Sequence, residues 1–282
     1  MSDWLHGLPI AWMAVVVFGV TYIVTAAIYA TVVAFAAAER VRSFKAVSPG
    51  MLPPLGIIFG LFVAFTAAQV WNDTDRAQTA VNREASALRT VVVLASSFPR
   101  DAEVLLRDLV RDYIDETTTY EWPMLAGHSA TLNLTPPALA NALQSALALI
   151  PETEGQKVAQ REIATAIENA LDARRQRILI SRSEVNLVKW SCLLLQAVCA
   201  LVAIAMVHSD NHPAAGITMA IFATGVAASV LLILSHDRPF TGQVSIGPAP
   251  LLQVMPEAGA AIAEEVEFPL TASGAMRLDT GA

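Results

Sequence analysis

The chain has 282 residues, 55% hydrophobic and 15% charged, with a formal charge of −7 at pH 7. A soluble globular protein carries about 25% charged residues, and here the shortfall is concentrated in four long apolar runs, so the chain reads as a membrane protein. Only 18 Lys and Arg stand against 25 Asp and Glu, which argues against a nucleic-acid partner.

The first apolar run, Leu8 to Ala38, ends in Ala36-Ala37-Ala38, superficially like a signal-peptidase site. It is far longer than the roughly 7–15 residues of a signal peptide's apolar region and lacks a positive segment before it. It is predicted to be a retained transmembrane helix, closed by Glu39, Arg40, Arg42 and Lys45. A short loop through Pro49-Gly50 leads to the second run, Pro53 to Asp73, close to the roughly 20 residues that cross a bilayer core as helix. Pro53 and Pro54 suit a first helical turn, where their missing N–H groups would have no partner anyway. This helix has two unlike sides. Gly56, Gly60, Ala64 and Ala67 follow the small-xxx-small spacing that lets another membrane helix approach closely. Leu55, Ile58, Phe62, Thr66, Gln69 and Asp73 recur on roughly the opposite face. That second face suits a pore lining, and it equally suits contact with lipid or a neighbouring helix.

Beyond Trp71 the helical period continues through Ala77, Val81, Glu84/Ala85, Leu88, Val91/Val92 and Ala95, with Arg76, Arg83 and Arg89 mostly off that face. The helix is therefore expected to run on to Ser97 and to stop at Phe98-Pro99. A further helix is expected from Asp101 to about Thr118, with Val104, Leu105, Leu109 and Ile114 inward and Asp101 and Glu103 at its dipole-favoured start. Glu121-Trp122-Pro123 is expected to break it, followed by a loop over Leu125 to Thr135. Pro136-Pro137 opens a short helix to Ile150. A long amphipathic helix then runs from Glu152 through Val158, Ile163, Ala166, Ile167, Ala170 and Leu171, passes Arg174, Arg175, Arg177 and Arg182, and is expected to enter the membrane unbroken near Leu187. The third run reaches Val207, Ser209 to Pro213 make a tight turn, and the fourth run, Ala214 to Leu234, returns as a hairpin. Cys192 and Cys199 share the third helix about 10 Å apart, beyond disulfide reach.

The expected architecture is an all-α membrane protein: helices one and two (1–71), a helical extramembrane insert (72–186), a hairpin of helices three and four (187–236) and a C-terminal tail, partly extended or disordered and frayed after about Phe268 (237–282). Basic residues near the membrane ends divide: Arg40, Arg42 and Lys45 on one side, and Arg76, Arg83, Arg89, Arg174, Arg175, Arg177, Arg182 and Arg238 on the other. The larger group favours termini and insert on the cytoplasmic side of a multi-pass protein of the cell inner or plasma membrane.

Enzyme chemistry finds no footing. His6, His128, His208, His212 and His236 are scattered, and no HExxH, CxxC, GxSxG or Gly-rich phosphate loop occurs. His208, Asp210 and His212 read as solvated turn residues. Asp73-Thr74-Asp75 reads as a solvated helix exit or, in a ring of copies, as carboxylates at a pore mouth. No metal or cofactor is expected. Near mid-membrane the polar residues are neutral (Thr21, Tyr22, Thr25, Thr66, Gln196, Thr218 and Thr224), which argues against a coupled pump and is compatible with passive conduction.

In order along the chain come the Gly-rich second helix ending in Trp71, Glu84-Ala85-x-x-Leu88, Tyr113, Glu121-Trp122-Pro123, the Arg174–Arg177 helix, and Asp237-Arg238-Pro239-Phe240-x-Gly242 after the last helix. This ordered set resembles the bacterial bestrophin-like membrane proteins. The resemblance implies a homopentamer in the lipid bilayer that conducts an inorganic ion, with the second helix lining the pore and the termini in the cytoplasm. Ile58, Phe62 and Thr66 would be the neck positions, with Gln69 below them, Asp73 and Arg76 at the mouth, and Gly56, Gly60, Ala64 and Ala67 packing on neighbouring helices. Thr241 to Ser245 carries no acidic run, so the calcium clasp of animal bestrophins is not expected. The competing reading is a membrane-anchored helical scaffold or sensor without conduction.

Overall fold

The computed structural model describes residues 3–35, 49–132 and 135–255. Arg40, Arg42 and Lys45, the smaller of the two basic groups, lie outside the described residues, as do the end of the first run at Ala36 to Ala38 and the tail beyond Met255. The chain divides into two compact units, Met1–Ala77 with Leu179–Ile246 and Gln78–Ile178 with Gly247–Ala282. The expected all-helical architecture is present, and among the described residues no strand occurs.

The first unit holds α1 (Asp3–His6), α2 (Ile10–Phe35), the apolar part of α3 (Leu52–Ala95), the end of α7 (Glu154–Ser181), α8 (Leu187–Val207) and α9 (His212–His236). A 3-10 turn over Pro49–Met51 leads into α3. Among the described residues, four helices are long and apolar enough to span a membrane. Met13, Val17, Trp190, Leu193, Ala197, Val226, Ala227 and Ile233 form the core in which α2, α8 and α9 pack together. Threonine hydroxyls inside these helices, such as those of Thr21, Thr25 and Thr218, donate to carbonyls four residues back, so these donors are not left unpaired against lipid. The α8–α9 turn is set by Asn211, whose side chain accepts from the N–H of Ala214 at 3.1 Å.

One expectation for this unit fails. The third membrane helix is not continuous with the long helix before it: α7 stops at Ser181 and α8 starts at Leu187. The physical cause is local hydrogen bonding. The Asn186 side chain accepts from the N–H of Val188 at 3.0 Å, a helix start, and the N–H of Val185 goes to the Asp237 carboxylate at 2.7 Å instead of to a helical carbonyl.

The second unit holds the remainder of α3, α4 (Arg100–Glu116), a π-helical turn over Thr117–Glu121, α5 (Trp122–Ala126), α6 (Pro137–Ala148), most of α7, and α10 (Ala249–Leu252). Leu88, Val91, Leu106, Val110, Tyr113, Ile114, Leu139, Ala142, Ile163 and Ile167 fill its core, joined by Leu251 and Val254 from the chain's end. Val104 and Leu105, expected inward, are exposed instead, and Leu106, Val110 and Tyr113 take the core positions of α4. Nor does Glu121-Trp122-Pro123 break the helical path. The Trp122 N–H reaches back to the carbonyl of Thr117, a five-residue step, and this wider turn places Pro123 in the first turn of α5, where proline is tolerated. At the C-terminus of α6, Gln160 Nε2 donates to the carbonyls of Ala146 at 2.9 Å and Leu149 at 2.8 Å, capping orphan acceptors that no Gly is there to satisfy.

Candidate functional site: the outward face of the second membrane helix

Within the first unit, α3 is a peripheral helix with a narrow buried edge. Phe59, Thr66, Ala67 and Val70 face the unit's own core, and the Phe59 ring meets Phe222 of α9 at a centroid distance of 5.6 Å. On the other side Ile57, Ile58, Leu61 and Phe65 are 51–69% exposed, a run of large apolar side chains that the unit leaves uncovered.

The expected neck positions separate on this geometry. Ile58 lies on the exposed stripe, and Phe62 and Gln69 sit half-buried at its edge. Thr66 is 5% exposed, inside the unit, with its hydroxyl donating to the Phe62 carbonyl at 2.8 Å. The expected packing residues separate too. Ala67 is buried, whereas Gly56, Gly60 and Ala64 are exposed, and a Cβ added at Gly56 or Gly60 would meet no atom within 4 Å. At the mouth, half-buried Asp73 and exposed Arg76 approach to 3.8 Å along one helical turn.

Periodicity did not reveal two further features of this unit. Lys189, the third residue of α8, donates through Nζ to Gln69 Oε1 across 120 residues of chain. It is the only Asp, Glu, Lys or Arg in α2, α8, α9 and the stretch 52–72 of α3. A lone cation inside an apolar run was the signal that could have found it. The segment after α9 is also fastened down: His6 Nε2 lies 3.6 Å from Asp237 Oδ2, Arg238 pairs with Glu184 at 3.2 Å, and Phe240 is buried. Gly242 has φ +91° and passes so near His6 that an added Cβ would come within 3.1 Å of its carbonyl oxygen, so a residue without a side chain is required.

The second unit carries its own polar centre. Arg177 is fully buried and forms a fork on Glu84, Nε to Oε2 at 2.8 Å and Nη2 to Oε1 at 3.0 Å, while Nη2 also reaches Glu121 at 2.7 Å. Arg174 holds the other Glu121 oxygen at 2.8 Å, the Tyr113 hydroxyl donates to Glu84 at 2.5 Å, and the Arg177 guanidinium lies 5.0 Å from the Trp122 ring centroid. Two cations balance two carboxylates. Burial works to lower the Arg177 pKa, but Glu84, Tyr113 and Glu121 outweigh it and hold the guanidinium more firmly protonated than usual. Burial, then the Glu84 charge, push the Tyr113 phenol well above its ordinary value, so it stays a neutral donor. The sequence brought these residues forward only as separate pieces (Glu84 on an inward face, Tyr113, Glu121-Trp122 and the Arg174–Arg177 helix). Among the described residues, no group of three or more His, Cys, Asp or Glu side chains could hold a metal ion.

A family model described as the bestrophin-like domain matches residues 14–251. The chain belongs to the bestrophin-like family. The match takes in most of the first apolar run, the other three in full, the Glu84–Arg177 centre and most of α10. Among solved structures, a point mutant of a bacterial bestrophin homologue from Klebsiella pneumoniae aligns with TM-score 0.63 and 10% identity, covering 87% of this chain and 98% of that one. A second crystal structure, described as a membrane protein carrying a point substitution, aligns with TM-score 0.59 and 11% identity, covering 90% and 97%. At these identities the likeness is one of fold. No curated protein matches the chain.

Proposed function

We propose that this protein is an oligomeric ion channel in which copies of α3 stand around a common axis in the membrane. A homopentamer is the favoured assembly, following the family resemblance. The observation that carries the reading is the outward face of α3: Ile58, Leu61 and Phe65 project away from the unit's own core, and half-buried Phe62, which also packs against that core, stands at their edge. A lipid-facing helix would satisfy the same exposure, but the stripe runs on into Asn72 and Arg76, which are exposed and polar. A ring of such helices gives an apolar neck that opens onto a polar mouth. Apolar constrictions of this kind gate by dewetting.

In this reading Ile58 and Phe62 remain neck residues, Leu61 and Phe65 join them, and Gln69, Asp73 and Arg76 form the mouth. Thr66 supports the helix from behind. Gly56, Gly60 and Ala64 lie uncovered on the flank, the place for a neighbouring copy to pack closely. In this reading the termini lie in the cytoplasm, the side that the larger group of basic residues favours. The channel reading assigns the protein no enzymatic activity.

The test combines the stoichiometry of the detergent-purified particle with ion flux from liposomes. A ring that conducts, and that conducts more or gates more loosely after Phe62→Ala, supports the reading. A monomer or dimer without flux would instead favour the membrane-anchored scaffold.

A further inference from the structure

We infer that His6 and Asp237 form a proton-operated clasp, which ties the N-terminal segment to the junction between α7 and α8 in acid and releases it as the pH rises. The inference stands on the first unit alone and does not depend on the channel reading. Buried polar atoms almost always have hydrogen-bond partners, so an exception calls for an explanation. His6 is such an exception. Its side chain is 4% exposed, and among the described residues neither ring nitrogen has a hydrogen-bond partner. Nε2 faces Asp237 Oδ2 across 3.6 Å, too far for a hydrogen bond from a neutral ring but within the reach of an ion pair. The adjoining cavity measures about 10 Å³, room for one water at most, so bulk solvent does not screen the pair.

Asp237 gives this contact its reach. Its Oδ1 accepts the Val185 N–H at 2.7 Å, the bond that interrupts the helical path between Ser181 and Leu187. A proton on His6 makes the contact charge-assisted, the stronger class of polar contact, and histidine is the side chain that ordinarily changes charge between about pH 5 and 8. The other charged and titratable groups around His6 are engaged elsewhere. Arg238 lines the cavity and pairs with Glu184 of the α7–α8 link at 3.2 Å. His236, at the end of α9, keeps its ring Nδ1 at 2.9 Å from the Ser235 hydroxyl and 3.1 Å from the Leu232 carbonyl. From α2 only Ile10 and Met13 reach the cavity. The N-terminal segment is also held by the Ile10 N–H on Gln243 Oε1 at 3.1 Å and by Gly242 against the His6 carbonyl, contacts with no ionisable group. Among the described residues, the pH-sensitive part of the tie is therefore the His6–Asp237 pair.

The experiment is amide hydrogen exchange of the purified full chain in detergent from about pH 5.5 to about pH 7.5, each rate divided by the intrinsic rate at that pH and read over residues 3–13 and 182–188. In the wild type, protection of both segments is expected to fall about tenfold over that range. Asp237→Asn keeps an oxygen for the Val185 N–H but removes the charge, and His6→Gln keeps a neutral polar side chain; both should give flat profiles. His236→Gln should keep the wild-type fall. A flat wild-type profile overturns the inference, as does an undiminished fall in either folded clasp variant or its loss in His236→Gln.

Discussion

Glu84 shows how a single residue ties sequence to fold. It occupies a fully buried position on an otherwise apolar helix face, and it is tolerable there because Arg177 and Tyr113 meet both of its oxygens. Breaking a buried pair from one side is expensive because the partner charge is left unpaired. Glu84→Gln is therefore expected to destabilise the protein by about 3–5 kcal/mol, read as a lowered midpoint of thermal unfolding in detergent; an unchanged midpoint would mean that the fork contributes no net stability. Tyr113 gives a pH dependence of definite sign. Its folded-state pKa is raised, so above about pH 10, the ordinary tyrosine value, the unfolded chain sheds a proton that the folded chain keeps. The Tyr113 contribution is fully present below that pH and is lost as pH rises toward the folded-state value. Tyr113→Phe should flatten the alkaline fall in stability relative to wild type; superimposable profiles from about pH 8 to 11 would refute the assignment.

For individual elements, what the sequence revealed and what it concealed follow from the range of the forces involved. The four spans were legible because an apolar run of bilayer length is seldom anything but a span, and the inward face of α3 from Ala77 to Ala95 was legible because the 3.6-residue period persists beyond the membrane. The interruption at 182–186 was not. The segment Arg182-Ser183-Glu184-Val185-Asn186 contains neither Gly nor Pro, and its break depends on Asp237, 52 residues away, accepting the Val185 N–H. The π turn was hidden for a related reason, since Pro123 alone signals an end and only the wider hydrogen-bond register lets the helix pass. The outward stripe of α3 was nearly legible. Periodicity grouped Thr66 with Ile58 and Phe62, but the core contact through Phe59 and Val70 rotates Thr66 inward and leaves Leu61 and Phe65 outside. At this scale Gly60→Leu is the informative change. Nothing within the protomer lies within 4 Å of an added Cβ there, so the variant should fold with wild-type helix content and yet run as a smaller particle on size exclusion. Normal assembly would show that this flank is not a contact between copies.

Across the whole molecule, the chain's end returns to the second unit, where Leu251, Val254 and Met255 enter the core around Leu139 and Ile163. From sequence this segment reads as part of a loose tail, because its Pro, Gly and Ala content masks three apolar anchors. Leu251→Ala should cost about 2–5 kcal/mol, as for other fully buried leucines, and chemical denaturation should show it; a neutral substitution would mean that the segment docks without stabilising the unit. Membership of the bestrophin-like family fits the molecule's two parts: an apolar unit in which α2, α8 and α9 leave apolar side chains exposed and α3 presents an uncovered face, and a helical unit built on a buried charge centre. The central claim is that this uncovered face lines an axis shared by several copies. The most direct measurement is a reconstruction of the purified full chain in lipid nanodiscs. The expected result is a closed ring with Ile58, Leu61, Phe62 and Phe65 turned toward the axis. A ring with those side chains against lipid, or a particle with no rotational symmetry, would contradict it.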